Sequence, residues 1–312
     1  MEQKPLEQTA WVFPGQGSQS VGMLSALAMH HSTIKATFAE ASECLGYDLW
    51  ALTQEGPTEK LNQTLYAQPA LLAAGVALWR MYNDRRQGAL YPTFLAGHSL
   101  GEYTALVCAD AIDFQDAISL VAERARLMQL AVPEGVGAMA AVLGLSDADV
   151  LTICQDSAQD EIVSPANYNT VGQVVIAGHK TAVLRAIEKA KSIGAKRAIL
   201  LPVSVPSHCA LMTPAAVEFA KNIERVRFRK PIIPVLHNVD VSTHNNTKDI
   251  QRVLCEQLYS PVYWVKTVQV LFQKGVQHIL ECGPGVVLTG LNKRIVPTLL
   301  CESLSRAEAV CL

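Results

Sequence analysis

Short apolar runs alternate with longer segments of helical periodicity through both outer parts of the chain. The apolar runs predict strands, and segments with apolar residues three or four positions apart predict helices. The clearest strands are expected at 9–13, 94–97, 232–238 and 277–281, and the clearest helices at 32–45, 70–82, 113–132, 214–226, 250–258 and 262–273. Since strands that alternate with helices pair in parallel, we predict a mainly parallel, hydrolase-like α/β sheet with helices on both faces.

Two of the predicted helices have residues at their N-termini that are typical of a helix start. Pro69 is expected in the first turn of helix 70–82, where its missing N–H has no helical partner in any case. Asp113 is expected as the N-cap of helix 113–132. The tail after Pro297 is weakly patterned, and no element is predicted there.

The rhythm changes between residues 137 and 204. Strands are predicted at 138–144, 161–169, 173–178 and 196–203, and helices at 147–157, capped by an aspartate, and 181–193. The order β-α-β-β-α-β is that of ferredoxin-like domains. We therefore expect a large catalytic domain, residues 1–132 and 206–312, a ferredoxin-like insertion, residues 133–205, and an active site in the cleft between them.

A serine between two glycines follows the apolar run at 94–97. Gly97-His98-Ser99-Leu100-Gly101 fits the G-x-S-x-G pattern, in which a serine sits on a sharp turn between a strand and a helix. The glycines tolerate the close backbone approach of such a turn, and the helix N-terminus offers N–H groups to a developing oxyanion. We interpret Ser99 as a nucleophile, with an ordinary tight turn as the alternative.

A nucleophilic serine needs a base, and two histidines are suitably placed. His208 lies in a turn after Pro206, whereas His237 ends a predicted strand and is the second choice. His98 adjoins Ser99, but adjacent side chains on a sharp turn point apart. From position alone, the alternative interpretation of His208 is a loop histidine with ordinary hydrogen bonds.

A glycine-rich loop, residues 14–19, follows the first predicted strand. It lacks the lysine of a P-loop and the spacing of a dinucleotide fingerprint, which argues against phosphate binding. The loop could instead bring backbone N–H groups close to a reacting carbonyl.

Composition narrows the class of protein further. Of 312 residues, 50% are hydrophobic, and a net charge of −2 without a basic run argues against nucleic acid as a partner. No apolar segment is long enough for a membrane span, and residues 1–9 lack the apolar region of a signal peptide. Eight cysteines without a C-x-x-C pair indicate a reduced, cytoplasmic protein, and the histidines show no metal-ligand spacing with them.

Several motifs occur together and in one order. They are Phe13-Pro14-Gly15-Gln16-Gly17-Ser18-Gln19, Tyr66-Ala67-Gln68-Pro69-Ala70, Gly97-His98-Ser99-Leu100-Gly101-Glu102-Tyr103, Asn167-Tyr168-Asn169, Gly172-Gln173-Val174-Val175-Ile176-Ala177-Gly178, Val205-Pro206-Ser207-His208 and Gly283-Pro284-Gly285. Over residues 9–296 the chain thereby resembles the malonyl-CoA:acyl carrier protein transacylases. It is similar to the discrete bacterial-type enzymes of fatty acid synthesis, because no flanking domain accompanies the motifs.

The resemblance implies a reaction and its main groups. Ser99 matches the serine that is acylated, His208 the general base, and Gln16 and Leu100 the two backbone N–H donors of the oxyanion hole. The malonyl group would pass from malonyl-CoA to Ser99 and then to the phosphopantetheine thiol of acyl carrier protein. No cofactor or metal is implied, and a monomer is expected.

Two further residues are implied by the resemblance, and a third is expected to support the site. Arg124 matches the arginine that binds the malonyl carboxylate; without the resemblance, an exposed ion pair on a helix would be the simpler interpretation. Gln257 matches the position whose backbone carbonyl contacts the histidine in place of an acidic third triad member. His98, next to Ser99, is expected as a supporting residue of the site.

Other functions fit part of this pattern. A thioesterase or lipase would share the elbow and the histidine, but such hydrolases usually supply an acidic third member. A catalytically idle module that docks carrier protein would have no use for Ser99 and His208. A transacylase of the same fold that serves polyketide assembly or malonate decarboxylation fits the same motifs.

Overall fold

Two separate β-sheets organise the fold, and the computed structural model describes residues 6–85, 91–203 and 205–305. The strands are β1 (Leu6–Phe13), β2 (Pro92–Gly97), β3 (Gly137–Leu143), β4 (Val163–Thr170), β5 (Gln173–His179), β6 (Arg197–Leu200), β7 (Val235–Leu236), β8 (His278–Glu281) and β9 (Leu300–Ser303). The helices are α1 (Ser25–Ala28), α2 (Ser32–Leu45), α3 (Leu49–Glu55), α4 (Thr58–Leu61), α5 (Thr64–Arg85), α6 (Gly101–Cys108), α7 (Phe114–Ala131), α8 (Asp147–Ala158), α9 (Lys180–Ser192), α10 (Thr213–Ile223), α11 (Thr247–Glu256), α12 (Trp264–Gln273) and α13 (Val287–Ile295).

The larger sheet has five parallel strands in the order β7-β2-β1-β8-β9. Its central strand β1 is buried on both faces, because Trp11 and Val12 belong to different apolar clusters. Trp11 makes edge-on contacts with Trp79 and Tyr82 of α5, at ring-centroid distances of 5.0 and 4.7 Å. The predicted parallel sheet with helices on both faces is confirmed.

The smaller sheet has four antiparallel strands in the order β4-β5-β3-β6. In the chain these strands alternate with two helices as β3-α8-β4-β5-α9-β6, so the predicted alternation is confirmed. Both helices cover one face, where Val150 and Val183 share an apolar cluster with Ile176. On the other face, Met139 belongs to the same cluster as Cys209, which lies beyond the sheet in the chain. The second face therefore points toward the larger sheet.

Prolines explain two differences from the predicted elements. Helix α5 begins at Thr64, so the prediction that Pro69 lies in its first turn is wrong. The proline nitrogen carries no hydrogen, and the helix lacks one backbone hydrogen bond there. The strand expected at 232–238 is reduced to the two residues of β7. Pro231 and Pro234 cannot donate to a strand ladder, which keeps the preceding segment out of the sheet.

Helix caps and a few elements also differ from expectation. Asp113 stands at the N-cap of α7, but its carboxylate accepts a hydrogen bond from Arg229 at 2.7 Å and does not cap the helix. Helix α8 is capped by Ser146, in a capping box with Asp149, and not by the aspartate expected there. Elements that were not predicted include α3, α4, α13 and β9.

Within the described ranges, no helix combines the length and the apolar character that a bilayer crossing requires. The same ranges contain no group of three or more histidine, cysteine or acidic residues that could hold a metal ion.

Candidate active site

The nucleophile elbow lies between β2 and α6. Ser99 adopts a left-handed backbone conformation, with φ of 51°, immediately after β2 ends and before α6 begins. Such strain persists only where the surroundings hold it. Here the Ser99 amide donates to Asn238 Oδ1 at 2.7 Å, and the Gly101 amide donates to the His98 carbonyl at 2.9 Å. These bonds hold the turn that carries the Ser99 hydroxyl.

Close backbone approach explains the two glycines of the elbow. A Cβ at Gly97 would lie 1.9 Å from the carbonyl carbon of Gly101. A Cβ at Gly101 would lie 2.0 Å from the carbonyl oxygen of Phe13. The obstructing atoms belong to the backbone, so they cannot rotate aside as a side chain could.

Gly97→Ala is therefore expected to destabilise the fold by about 3 kcal/mol or more. Urea unfolding followed by circular dichroism measures the free energy. Gly290→Ala is the matched control, because a Cβ there would meet nothing within 4 Å inside α13. Its stability should be unchanged or slightly higher, since alanine is the better helix former. Equal losses in both variants would contradict the packing argument.

His208 is the histidine that reaches Ser99. Its Nε2 lies 2.8 Å from Ser99 Oγ, and its Nδ1 lies 2.7 Å from the backbone carbonyl oxygen of Gln257. A carbonyl can only accept, so Nδ1 carries the proton and Nε2 is the acceptor for the serine hydroxyl. His237, the second choice, instead contacts a carboxylate oxygen of Glu102 through Nδ1 at 2.6 Å. The geometry therefore favours His208 as the base.

Burial, and secondarily the charge of Arg124, lowers the pKa of His208 to about 3. Only the neutral imidazole can accept the serine proton, and protonation by acid inactivates it. We expect kcat/KM for acyl transfer to stay flat from about pH 8 down to about pH 5, through the region where an ordinary histidine becomes protonated. A steady-state pH profile measures this. A fall centred on the ordinary histidine pKa would contradict the expectation.

Arg124 lies beside the nucleophile and is almost fully buried, with 1% of its surface exposed. Its Nη1 donates to Gln68 Oε1 and its Nη2 to Gln257 Oε1, both at 2.8 Å, and Nη2 lies 3.4 Å from Ser99 Oγ. All these partners are neutral. Burial lowers the pKa of Arg124, but a guanidinium remains charged at neutral pH. The site thus holds a buried positive charge, which is costly unless an anion joins it.

Gln16 and Leu100 line the same cavity as Ser99. Leu100 precedes the first residue of α6, so its amide belongs to the helix N-terminus. The Gln16 side chain anchors its loop, accepting from Thr64 Oγ1 at 3.3 Å and donating to the Asn62 carbonyl at 3.2 Å. Among the residues that the structure describes, neither backbone N–H has an acceptor in the protein. Both are thus available to an oxyanion.

His98 connects the elbow to the smaller sheet. Its Nε2 lies 2.9 Å from Asn169 Oδ1 on β4, and its ring centroid lies 5.6 Å from that of Trp264. Burial lowers the pKa of His98, which favours the neutral ring. These contacts suit a supporting residue and leave the nucleophile to His208.

Buried polar residues beneath the elbow were missed by sequence reasoning. Asn238 holds both sides of the turn, because its Oδ1 accepts from the Ser99 amide and its Nδ2 donates to the Gly97 carbonyl at 2.6 Å. Its position in the chain could have indicated a site residue. Asn238 lies just after β7, the strand beside β2, and polar residues at the carboxyl ends of adjacent parallel strands lie close together. Glu102 and Gln68 lie in two of the motifs, but the motifs alone do not indicate what their side chains contact.

A cavity of about 500 Å³ separates the two sheets. One wall carries Gln16, Ser99 and Arg124, and the other carries residues of the smaller sheet and its flanks, including Met139 and Leu201. Six of the seven residues predicted for the site line this cavity, and Gln257 does not; the six are Gln16, His98, Ser99, Leu100, Arg124 and His208. The volume of the cavity suits the reacting end of a small-molecule thioester.

Comparisons with known proteins agree with this geometry. Residues 10–289 match the family described as the acyl transferase domain. The chain is 55% identical over 305 residues to the malonyl CoA-acyl carrier protein transacylase of Salmonella typhimurium, covering 98% of both chains. The same figures hold for the transacylase of that name from Escherichia coli.

Solved structures give the same result. An acyl carrier protein S-malonyltransferase from Vibrio cholerae superposes with a TM-score of 0.92 at 57% identity, covering 95% of this chain and 96% of the other. A malonyl-transacylase in complex with a type II PKS acyl-carrier protein has a TM-score of 0.95 at 53% identity, covering 97% and 98%. The chain therefore belongs to the acyl transferase family and, within it, to the malonyl CoA-acyl carrier protein transacylases.

Proposed function

We propose that the protein transfers the malonyl group of malonyl-CoA to the phosphopantetheine thiol of acyl carrier protein. The observation that carries this proposal is the buried Arg124 guanidinium, held by neutral amides 3.4 Å from Ser99 Oγ. A guanidinium binds a carboxylate through two parallel hydrogen bonds, and malonyl is an acyl group that ends in a carboxylate. A thioesterase or lipase acting on neutral acyl chains would have no use for this charge.

The first half-reaction forms malonyl-Ser99. Ser99 Oγ attacks the thioester carbonyl carbon while His208 Nε2 takes the hydroxyl proton. The backbone N–H groups of Gln16 and Leu100 stabilise the oxyanion. When the tetrahedral intermediate collapses, the carbon–sulfur bond breaks and coenzyme A leaves as a thiol with the proton from His208.

The second half-reaction repeats these steps with another thiol. The phosphopantetheine thiol of the carrier protein gives its proton to His208, and its sulfur attacks the ester carbon of malonyl-Ser99. Collapse breaks the ester bond, and Ser99 Oγ recovers the proton. The base is oriented by the Gln257 carbonyl, in place of a carboxylate.

We also propose an assignment of the two parts of the fold to known domain types. The described residues of 133–205 form a ferredoxin-like insertion, and those of 1–132 and 206–312 form the hydrolase-like catalytic domain. The strand order β4-β5-β3-β6 with two helices on one face supports the first assignment. The parallel strands that carry the elbow support the second. The absence of a cofactor, the monomeric state and the cytoplasmic location remain predictions.

Acyl transfer from a panel of acyl-CoAs to holo acyl carrier protein, read by intact-protein mass spectrometry, tests the function. We expect malonyl to be transferred in preference to acetyl, and malonyl-enzyme to accumulate when the carrier is omitted. Rapid loss of that adduct to water would instead indicate a hydrolase. Because one structural relative is bound to a type II PKS acyl-carrier protein, carriers of fatty acid and polyketide synthesis are compared side by side.

A further inference from the structure

A buried carboxylate that the reaction does not use lies directly beneath the nucleophile. Glu102 is in the first turn of α6, three residues after Ser99, and its exposure is 0%. A carboxylate there gains from the helix N-terminus, but burying it is costly unless its oxygens are well bonded. The contacts of Glu102 therefore indicate the role of its negative charge.

Three donors converge on the Glu102 carboxylate. Oε2 accepts from the Asn238 backbone N–H at 3.0 Å and from Gln257 Nε2 at 2.8 Å, and Oε1 lies 2.6 Å from His237 Nδ1. An ionised carboxylate can only accept. Each neighbour must therefore present a hydrogen, and for Gln257 this decides which end of the side-chain amide faces Glu102.

The orientation of the Gln257 amide in turn determines which of its atoms faces the Arg124 guanidinium. Gln257 Nε2 donates to Glu102 and, at 3.1 Å, to the Ser99 carbonyl, which leaves Oε1 to accept from Arg124 Nη2 at 2.8 Å. With the amide reversed, its oxygen would face two acceptors and its NH₂ group would face the guanidinium. The bond to Glu102 is the shorter of the two and is charge-assisted, so it is the stronger constraint.

We propose that Glu102 is a positioning residue for acyl selectivity. It holds the Gln257 amide so that Arg124 is oriented by a neutral oxygen, while the negative charge of Glu102 stays one side chain away from the guanidinium. Arg124 is thereby fixed in place without being neutralised, and its charge remains for the carboxylate of the acyl group. This inference rests on the proposed function, because it assumes that Arg124 binds that carboxylate.

Glutamine at position 102 separates the hydrogen-bond geometry from the charge. In Glu102→Gln, the amide oxygen can take the place of Oε2, and its NH₂ group can donate to His237 Nδ1. His237 can then carry its proton on Nε2, which has no partner among the described residues. The glutamine thus preserves the orientation of Gln257, whereas alanine or methionine at position 102 provides no acceptor.

The test is the ratio of kcat/KM for malonyl-CoA to that for acetyl-CoA, measured as acyl-enzyme formation on a single preparation. The ratio does not depend on the folded fraction, so loss of stability alone leaves it unchanged. We expect Glu102→Ala to lower the ratio at least about tenfold, and Glu102→Gln to keep it within about twofold of wild type. Glu102→Met, which fills the buried volume, should behave like Glu102→Ala and replaces it if alanine prevents folding.

His237→Ala is the matched control, because it removes a different side-chain neighbour of the carboxylate without touching Gln257. It should lower the melting temperature and leave the ratio within about twofold. An unchanged ratio in Glu102→Met, a Glu102→Gln loss equal to that of methionine, or an equal loss in His237→Ala would each overturn the inference. A wild-type protein that does not prefer malonyl would instead overturn the proposed function, and this is seen before any variant is made.

Discussion

Ser99→Ala is expected to abolish malonyl transfer and to leave the fold intact. Alanine lacks the oxygen that attacks the thioester, and no other described hydroxyl is placed 2.8 Å from His208 Nε2. Incubation with malonyl-CoA followed by intact-protein mass spectrometry should show no malonyl adduct, with an unchanged circular dichroism spectrum. Ser119→Ala is the control, because within the described part of the chain its hydroxyl bonds only to the Gln115 carbonyl, on the exposed side of α7. Malonylation of Ser99→Ala at the wild-type rate would refute the assignment.

His208→Ala should lower the acylation rate by about 10³-fold or more, as loss of the base does in comparable serine enzymes. The serine remains but is a weak nucleophile when nothing accepts its proton. The same mass-spectrometric assay, followed over time, gives the rate. A rate within about tenfold of that of the wild type would contradict the role of His208 as the base.

Arg124→Ala is expected to lower kcat/KM for malonyl-CoA by about 30-fold or more, which corresponds to losing one partner of a buried charge pair. Acetyl-CoA should be far less affected or should improve, because acetyl offers no carboxylate and leaves Arg124 unpaired. A pocket that sensed only size could not discriminate so strongly. Steady-state rates with both substrates measure the effect. Equal losses for both would make Arg124 a structural residue.

Arg126→Ala is the control for Arg124, and the structure explains why. Arg126 lies two residues further along α7 and pairs with Glu123 at 2.7 Å, with half of its side chain exposed. The exposed ion pair considered for Arg124 thus belongs to Arg126. Such a pair contributes about 0–1 kcal/mol to stability, so both substrates should be transferred at near wild-type rates.

Much of the fold could be predicted because, along most of the chain, the hydrophobic periodicity and the residues that interrupt helices and strands indicate the same element boundaries. The βαββαβ order of the smaller sheet is legible in 138–203, where each apolar run ends at a glycine or polar turn. Other features depend on tertiary contacts. Asp113 has the right residue type for a cap, but Arg229, far away in sequence, takes its carboxylate. Helix α13 was missed, although Leu288 and Leu291 have helical spacing, because a Gly-Pro-Gly segment precedes it.

The residues of the candidate site also differ in whether local sequence or tertiary contacts determine their roles. Ser99 was predictable because the elbow needs glycines at fixed positions on both sides. Position ranked His208 above His237, but only the resemblance distinguished it from an ordinary loop histidine, since a turn histidine and a base look alike in sequence. The place of Asn238 just after a predicted strand could have suggested a site residue. Its two partners and the role of Glu102 were not predictable, because both depend on contacts that the fold forms between residues more than 130 positions apart. Spacing along the chain carries no information about such contacts.

The position of β1 in the larger sheet has a consequence for how the protein is made. This strand pairs with β2 on one side and with β8 on the other, where Thr9 lies beside His278. Strand β1 is synthesised first, but it can pair with β8 only after most of the chain has been synthesised. Contacts between residues this distant in sequence form slowly. We expect a serine-directed probe to label nascent chains only when they extend past β8. Labelling of chains arrested before it would show that the elbow assembles without its full sheet.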